Sequence, residues 1–478
     1  MIVLVLSVML FIFIFQAATI LLLEFRRPAH ATAWLFILFL FPLVGFILYY
    51  FLATEFRRSR KARKRASRDQ RRRAKLLGMS SNVTVVTEMP EETGFSSRTR
   101  LFRALLKGGE LPISGKNRSE VYNNGMDTYE AMLKAIGNAD NHIHLSSYII
   151  RNDEIGKEFQ QALIRKAKQG VKVKLLYDGI GSIKLSDSYI RILRDGGVEC
   201  ACFFPLRPSF LKKRMNYRNH RKIIVVDGKI GFVGGINVGD EYVGKNPRLG
   251  YWRDTHLRLE GDSVYWLQEV FLKDWEIATR EKPDVPAYFP DHECPGFEAV
   301  QIVPAGPNRK GDAIHDSVFA MSTAARDRIW MTTPYFIPSA SIAMALHDAA
   351  RSGLDVRIII PYIPDTWLVH LATLSYVEEM MRSGVRVWQY KKGFVHAKTL
   401  VVDKLVAVVG SANMDLRSFF SNFEINAHLF DPKAIAKVEG DFLKDLEDCE
   451  EINLQKFLMR PRKQKFKEAM ARILSPLL

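Results

Sequence analysis

The chain has 478 residues, too many for one ordinary hydrophobic core, and its 47% apolar content is ample for at least two. A net charge of +17 narrows the partners to anionic ones, nucleic acid or anionic lipid. Four cysteines, Cys200, Cys202, Cys294 and Cys449, are too sparse for a closed zinc site and read as packing residues.

Hydrophobicity is concentrated at the start. MIVLVLSVMLFIFIFQAATILLL (Met1 to Leu23) and ATAWLFILFLFPLVGFILYYFLA (Ala31 to Ala53) carry no charge, and each is as long as the roughly 20 apolar residues that a membrane helix needs. The first lacks the charged start of a cleaved signal peptide, and the second follows within a few residues. Pro42 and Gly45 are compatible with a membrane helix. Residues 1–53 are therefore predicted to form a two-helix transmembrane hairpin. Next comes Glu55 to Lys75, with twelve Lys or Arg against two acids. Basic residues beside a span mark the cytoplasmic side, and they outnumber Arg26 and Arg27 in the short loop. Both ends of the hairpin, and everything after Ala53, are expected in the cytoplasm. The run lies in a juxtamembrane linker, residues 54–96. It suits anionic headgroups, and it reads equally as a topology signal within a solvated linker.

Beyond the linker the chain looks duplicated. AMLKAIGNADNHIHLSSYII, EFQQALIRKAKQG and VKVKLLYD in the first half have counterparts in SVFAMSTAARDRIWMTTPYFIP, SIAMALHDAARSG and LDVRIIIPYIPD in the second. Each block reads as helix, strand, helix ending at Gly170 or Gly353, and a second apolar strand. That alternation predicts parallel crossover units with helices on both faces. Between the halves, Glu281 to Gly296 holds four prolines and reads as a linker. The fold class is α/β: two duplicated domains, 97–285 and 286–478, packed as a pseudo-dimer behind the hairpin.

NHRKIIVVDGKIGFVGGIN (Asn219 to Asn237) closes the first half, and VHAKTLVVDKLVAVVGSAN (Val395 to Asn413) repeats its His, Lys, Asp, Gly and Asn at the same spacing. KIIVVD and KTLVVD read as strands, on which residues two apart share a face, so His220 goes with Lys222 and His396 with Lys398. A two-residue turn at Asp227-Gly228 sets His220 opposite Gly235, with Asn237 just beyond. The same construction about Asp403 and Lys404 sets His396 opposite Ser411, with Asn413 beyond, although this turn has no glycine.

Imidazole can attack phosphorus or move a proton, and its unperturbed pKa near 6.5 suits both at neutral pH. Lysine adds positive charge, while Asn237 and Asn413, with Gly235 and Ser411, add close donors for phosphate oxygens. One set supplies a nucleophile without an acid. Two sets supply both. A lone His-x-Lys is commonly a strand's wet face, but two copies in a duplicated domain are hard to explain that way. Asp227 and Asp403 complete the shared catalytic pattern, though turn positions favour shaping the hairpin over touching substrate. Histidine catalysts need an orienting carboxylate, and Asp254 in YWRDTHLRLEG and Glu424 in NFEINAHLF stand among apolar neighbours that demand a partner. Asp240 and Glu241 compete with Asp254.

These residues resemble the phospholipase D superfamily, whose signature H-x-K-x4-D followed by G-[GS]-x-N occurs here twice. The first copy has Gly235 where that family often has serine. Over nearly the whole length the chain is also similar to the bacterial cardiolipin synthases, through the AWLFILFLFPLVGFILYYFL anchor, the basic stretch, YDGIGS, YWRDTHLRLEG, TTPYFIP, NFEINAHLF and SPLL. The resemblance implies two displacements at phosphorus: one histidine, His220 by superfamily precedent, attacks a phosphatidylglycerol while the other protonates the departing glycerol. A second phosphatidylglycerol then takes the phosphatidyl group from the histidine. No metal or other cofactor is implied, and only His142-x-His144, which reads as strand, has ligand-like spacing outside the motifs. The implied partners are phosphatidylglycerol and an anionic bilayer of the bacterial cell membrane, not nucleic acid.

Two further stretches could face lipid. CFFPLRPSFLKKRMNYR (Cys202 to Arg218) interleaves aromatic and basic residues, and reads otherwise as a solvated loop. The last helix sets Phe466, Met470, Ile473, Leu474 and Leu477 on one face, as an interfacial helix or one packed on the domain would. Alternatives to the transferase are a phosphodiesterase that hands the group to water and a catalytically inactive lipid-binding module.

Overall fold

The computed structural model describes residues 2–24, 28–52, 83–88, 98–205, 217–281, 286–291, 293–294, 296–308 and 311–477. The basic run Glu55 to Lys75 and residues 206–216 of the aromatic and basic stretch fall outside them.

The expected crossover units are present in both halves. Helix Gly125–Gly137, strand His142–Ser147, helix Glu154–Lys168 and strand Lys172–Asp178 correspond to Ala313–Ala324, Arg328–Thr332, Ala340–Arg351 and Asp355–Pro361. Both strand pairs are parallel, with His142 beside Lys172 and Arg328 beside Asp355. Local signals set the helix limits: Asp153 accepts from Gly156 N–H, Ser339 from Ile342 N–H, and Gly170 and Gly353 follow their helices at φ +93° and +91°.

Each motif forms an antiparallel hairpin, Ile223–Val226 with Ile230–Gly234 and Thr399–Val402 with Val406–Gly410. The register differs by one residue from the expected one. Val226 pairs with Ile230 and Val402 with Val406, leaving three-residue loops at 227–229 and 403–405. Asp227 and Asp403 take left-handed φ of +53° and +51°, a conformation that aspartate tolerates better than most residues.

Among the described residues there are two large sheets, of nine and eight strands, and each borrows from the other half. Gly393–Val395 adds in parallel to Tyr251–Gly261 of the first sheet. Ile113–Ser114 pairs with Val300–Ala305 of the second, and Leu101, Phe102 and Leu105 pack into the second core. A boundary at residue 97 therefore divides sequence but not packing. The sheets meet through Ile223, Val225 and Val233 on one side and Val401, Ala407 and Val409 on the other. Alternate residues Ile224 and Val226, or Leu400 and Val402, face each half's own helices. Both faces of the motif strands are thus apolar, and burying each such side chain is worth roughly 1.5–3 kcal/mol.

At the N-terminus helix Ile2–Glu24 is followed by Pro28–Leu40 and Pro42–Leu52. The second apolar segment is thus broken at Phe41 into two short helices. Among the described residues, no helix is long and apolar enough to cross a membrane. Ile20, Trp34, Leu38 and Tyr49 pack together, with Leu477 from the opposite end of the chain against them. The last helix, Arg462–Leu474, buries Ala471 against Leu371 and Ala372, while Phe466 stays 65% exposed. Packing on the domain accounts for this helix, and its apolar stripe is only partly covered.

Candidate active site

The two histidines are exchanged between the halves. His220 N–H donates to Phe423 O at 2.9 Å, and His396 N–H donates to Arg253 O at 2.7 Å. Each acceptor immediately precedes an expected orienting carboxylate. His220 Nδ1 lies 3.0 Å from Glu424 Oε2, and His396 Nδ1 lies 2.7 Å from Asp254 Oδ2. Each imidazole is therefore held by a carboxylate of the opposite half. With a carboxylate accepting, Nδ1 carries the proton, and Nε2 is left with its lone pair in both rings. Asp240 and Glu241 serve elsewhere: Asp240 accepts from Ile155 N–H at 2.9 Å, and Glu241 pairs with Arg151.

Lys222 Nζ donates to His220 O at 2.7 Å, and Lys398 Nζ donates to His396 O. Burial pushes Lys222 down to about 7 and Lys398 down to about 8, with Asp254 and Glu424 pulling both back upward. Burial also lowers His220, and takes His396 down to about 3. For the carboxylates, burial works upward, but the neighbouring histidines and lysines outweigh it and hold Asp254 and Glu424 below their ordinary range. Burial and these neighbours thus favour ionised carboxylates and neutral imidazoles. Each histidine feels the lysine of the other motif as well as its own, so the two sets share one electrostatic environment.

Several expected phosphate contacts have other partners. Ser411 Oγ donates to Glu424 Oε2 at 2.5 Å, bracing the carboxylate behind His220. A Cβ on Gly235 would lie 2.0 Å from Asp254 Oδ1, so Asp254 occupies the space that serine would need. Asn237 Oδ1 accepts from Ile149 N–H, and its Nδ2 donates to Tyr242 OH. Asn413 lines a small cavity with Lys398 and Thr333; its side chain bonds Asp415, and its Oδ1, an acceptor, is buried without a partner among the described residues.

Asp227 and Asp403 stand at the far ends of their hairpins. Asp227 accepts from the N–H groups of Asp140, Asn141 and His142 at 2.8, 2.7 and 2.7 Å. Asp403 accepts from Asp327 and Arg328 N–H, both at 2.9 Å, and pairs with Arg98. In each half the aspartate anchors the start of the neighbouring strand, His142–Ser147 or Arg328–Thr332, which runs antiparallel to its own, and this corrects its placement in the catalytic set.

Sequence reasoning missed Tyr148 and Trp252, whose rings lie 4.8 Å from His220 and 5.0 Å from His396. It also missed Arg221, fully buried, whose Nη1 donates to both oxygens of Asp274 at 2.6 and 2.7 Å, with Nε on Glu424 O. Its place between His220 and Lys222, ahead of strand Ile223–Val226, was the available signal, because alternation in an extended stretch turns it away from the face those two share. His142 and His144 do lie on a strand and share Gln268, at 3.0 and 2.7 Å. Among the described residues no three His, Cys, Asp or Glu side chains gather to hold a metal ion.

Two α/β halves that exchange histidines and carboxylates, each with an H-x-K strand, define a phospholipase D-type phosphoryl-transfer site. The chain belongs to the cardiolipin synthase family: the family described as "Cardiolipin synthase, PLD-like domain" matches residues 132–275 and 319–446. Residues 5–53 match the phospholipase D-nuclease N-terminal family. The chain is 42% identical to a cardiolipin synthase of Geobacillus kaustophilus over 464 residues, 96% of this chain and 91% of that one. It is 40% identical to the major cardiolipin synthase of Bacillus subtilis over 471 residues, 96% of each. Among solved structures, the phosphatidylserine synthase of Haemophilus influenzae shares the fold, with a TM-score of 0.62 at 14% identity, covering 79% of this chain and all of that one.

Proposed function

We propose that this chain is a membrane-bound phosphatidyltransferase that condenses two phosphatidylglycerol molecules to cardiolipin and glycerol. The observation that carries the reading is the exchange of histidines and carboxylates, which leaves two Nε2 lone pairs backed by two lysines. Nε2 of His220 attacks phosphorus, the P–O bond to glycerol breaks, and the imidazolium of His396 gives its proton to the leaving oxygen. In the second displacement neutral His396 takes the proton of the acceptor's terminal hydroxyl. That oxygen attacks, the P–N bond breaks, and its electron pair returns to His220. Lys222 and Lys398 offset charge on the phosphoryl oxygens. Glu424 and Asp254 fix the Nδ1–H tautomer and favour the cation as it forms.

The incoming phosphodiester is also what makes the acid possible. Burial disfavours an imidazolium, and a bound phosphodiester anion offsets that effect.

The relatives named cardiolipin synthase and the match at residues 5–53 support a membrane setting. We assign Ile2–Glu24 and the two helices after it to a bilayer hairpin, with the catalytic halves in the cytoplasm. Full-length protein given phosphatidylglycerol alone tests the reading. Cardiolipin plus glycerol supports it, whereas phosphatidic acid plus glycerol makes the chain a hydrolase, and no turnover leaves a lipid-binding module. Protease protection in intact cells tests the orientation.

A further inference from the structure

Transfer to a lipid alcohol imposes a requirement that hydrolysis does not. The acceptor phosphatidylglycerol carries its own phosphodiester anion, one glycerol unit away from the hydroxyl that attacks. Lys222 and Lys398 belong to the reacting phosphorus, so the second anion needs a separate cationic seat beside the histidines.

Two arginines, one from each half, stand at that place. Arg218 is two residues before His220, and its carbonyl accepts from Phe423 N–H at 2.8 Å. Arg417 lies in the short helix Leu416–Phe420. Its Nε is 3.4 Å from Asn422 Oδ1, and Asn422 Nδ2 donates at 3.2 Å to Glu424 Oε1, the carboxylate that holds His220. A parallel bridge between Asn219 and Phe423 lays the two segments side by side. Both guanidinium charges act on Tyr148, the ring that stands edge-on to His220.

The arginines are partly buried, and they repel one another. Burial lowers the pKa of Arg417 most, and the charge of Arg218 lowers it further. Asp178 and Asp415 also face the pair and draw the Arg417 pKa back upward, while accepting backbone hydrogen bonds of their own. Asp178 accepts from Asn219, Ile180 and Gly181 N–H at 2.7, 2.9 and 3.0 Å, and Asp415 accepts from Ser418 N–H at 2.6 Å. Arg218 Nη1 donates to Tyr217 O at 3.0 Å, and the planar guanidinium fork of each arginine matches phosphate oxygens in pairs.

We propose that Arg218 and Arg417 form the acceptor subsite, gripping the phosphodiester of the second phosphatidylglycerol so that its terminal hydroxyl meets the phosphatidyl-histidine. This rests on the phosphatidyltransferase reading. The subsite chooses the acceptor: a lipid alcohol that brings its own phosphate is retained where water or a neutral alcohol is not.

Two reactions of the full chain in phosphatidylglycerol vesicles test this. One is cardiolipin formation; the other is exchange of the headgroup with labelled free glycerol, which uses the same phosphatidyl-enzyme but an acceptor without phosphate. Arg417→Gln should lower the ratio of cardiolipin formation to glycerol exchange about tenfold, by raising the phosphatidylglycerol concentration needed for transfer. Arg218→Gln should act in the same direction, and Arg417→Lys should recover part of the ratio. Parallel loss of both reactions would assign the arginines to the donor lipid or to folding and overturn the proposal, as would an unchanged ratio. Wild-type protein that forms phosphatidic acid but no cardiolipin would instead overturn the transferase reading itself.

Discussion

His396 donates its backbone N–H to Arg253 O at 2.7 Å, which makes the second half's histidine a continuation of the first half's sheet. The neighbouring residue, Asp254, then meets the imidazole at Nδ1. Position and protonation of the ring are thus set by one short stretch of the opposite half. The same holds for His220 against Phe423 and Glu424.

Glu424→Gln and Asp254→Asn should each keep the fold and lower cardiolipin formation by roughly 10²–10⁴, because the amide no longer stabilises an imidazolium or fixes its tautomer. Gly235→Ser should resemble Asp254→Asn, since its Cβ displaces the Asp254 carboxylate. Initial rates in phosphatidylglycerol vesicles check all three. A Gly235→Ser enzyme at full rate would show that Asp254 does not need that space.

The two histidines should separate with a donor whose leaving group needs no proton. With a nitrophenyl phosphodiester, His396→Ala should still release nitrophenol in a single burst and then stall, because transfer to the acceptor lacks its base. His220→Ala should give no burst. Acid quench and peptide mass mapping should locate the phosphatidyl group on His220, and finding it on His396 would reverse the roles.

Acid should loosen the second motif's hairpin. Burial works to raise Asp403, but the N–H groups of Arg328 and Asp327 and the Arg98 guanidinium outweigh it and leave its pKa below the usual 3.8. A carboxyl depressed on folding contributes stability above the unfolded value, and that contribution disappears as pH falls through the folded one. Asp403→Asn should cost about 1–3 kcal/mol at pH 7 and flatten the acid limb of the stability curve. Any protein that remains folded should keep near-normal activity, as read by paired denaturation and rate measurements.

Alkaline pH should act on the lysines in the opposite sense for activity and stability. The ammoniums of Lys222 and Lys398, at about 7 and about 8, are lost as pH rises, so kcat/KM should fall through that window. An unfolded chain holds those protons up to about 10.5, so folding stability should rise with pH over the same range. Lys222→Met should unfold no more easily than wild type at pH 7 while losing activity at least about a hundredfold. Thermal midpoints and rates across pH 6–9 check both halves of the statement.

Much of this was legible in the chain itself. The doubled helix-strand-helix-strand pattern follows from residue periodicity and from Gly170 and Gly353. Glu424 and Asp254 were legible as charges stranded among apolar neighbours. Their crosswise pairing was not, because chain order cannot say which half a strand edge will join. The hairpin register moved by one residue because Asp227 and Asp403 adopt left-handed backbone, secured by N–H groups at 140–142 and 326–328, far away in sequence. For the same reason Ser411 and Gly235 read as phosphate contacts, although their neighbours make them supports for carboxylates.

The reciprocal placement of His220 beside Glu424 and His396 beside Asp254 also bears on descent. Each half lends the other a histidine, so neither owns a complete site. A forerunner with one motif per polypeptide could have assembled this chemistry only as a self-complementary homodimer. Joining two copies end to end would then have preserved an existing interface and freed each motif to diverge, as Gly235 and Ser411 have done.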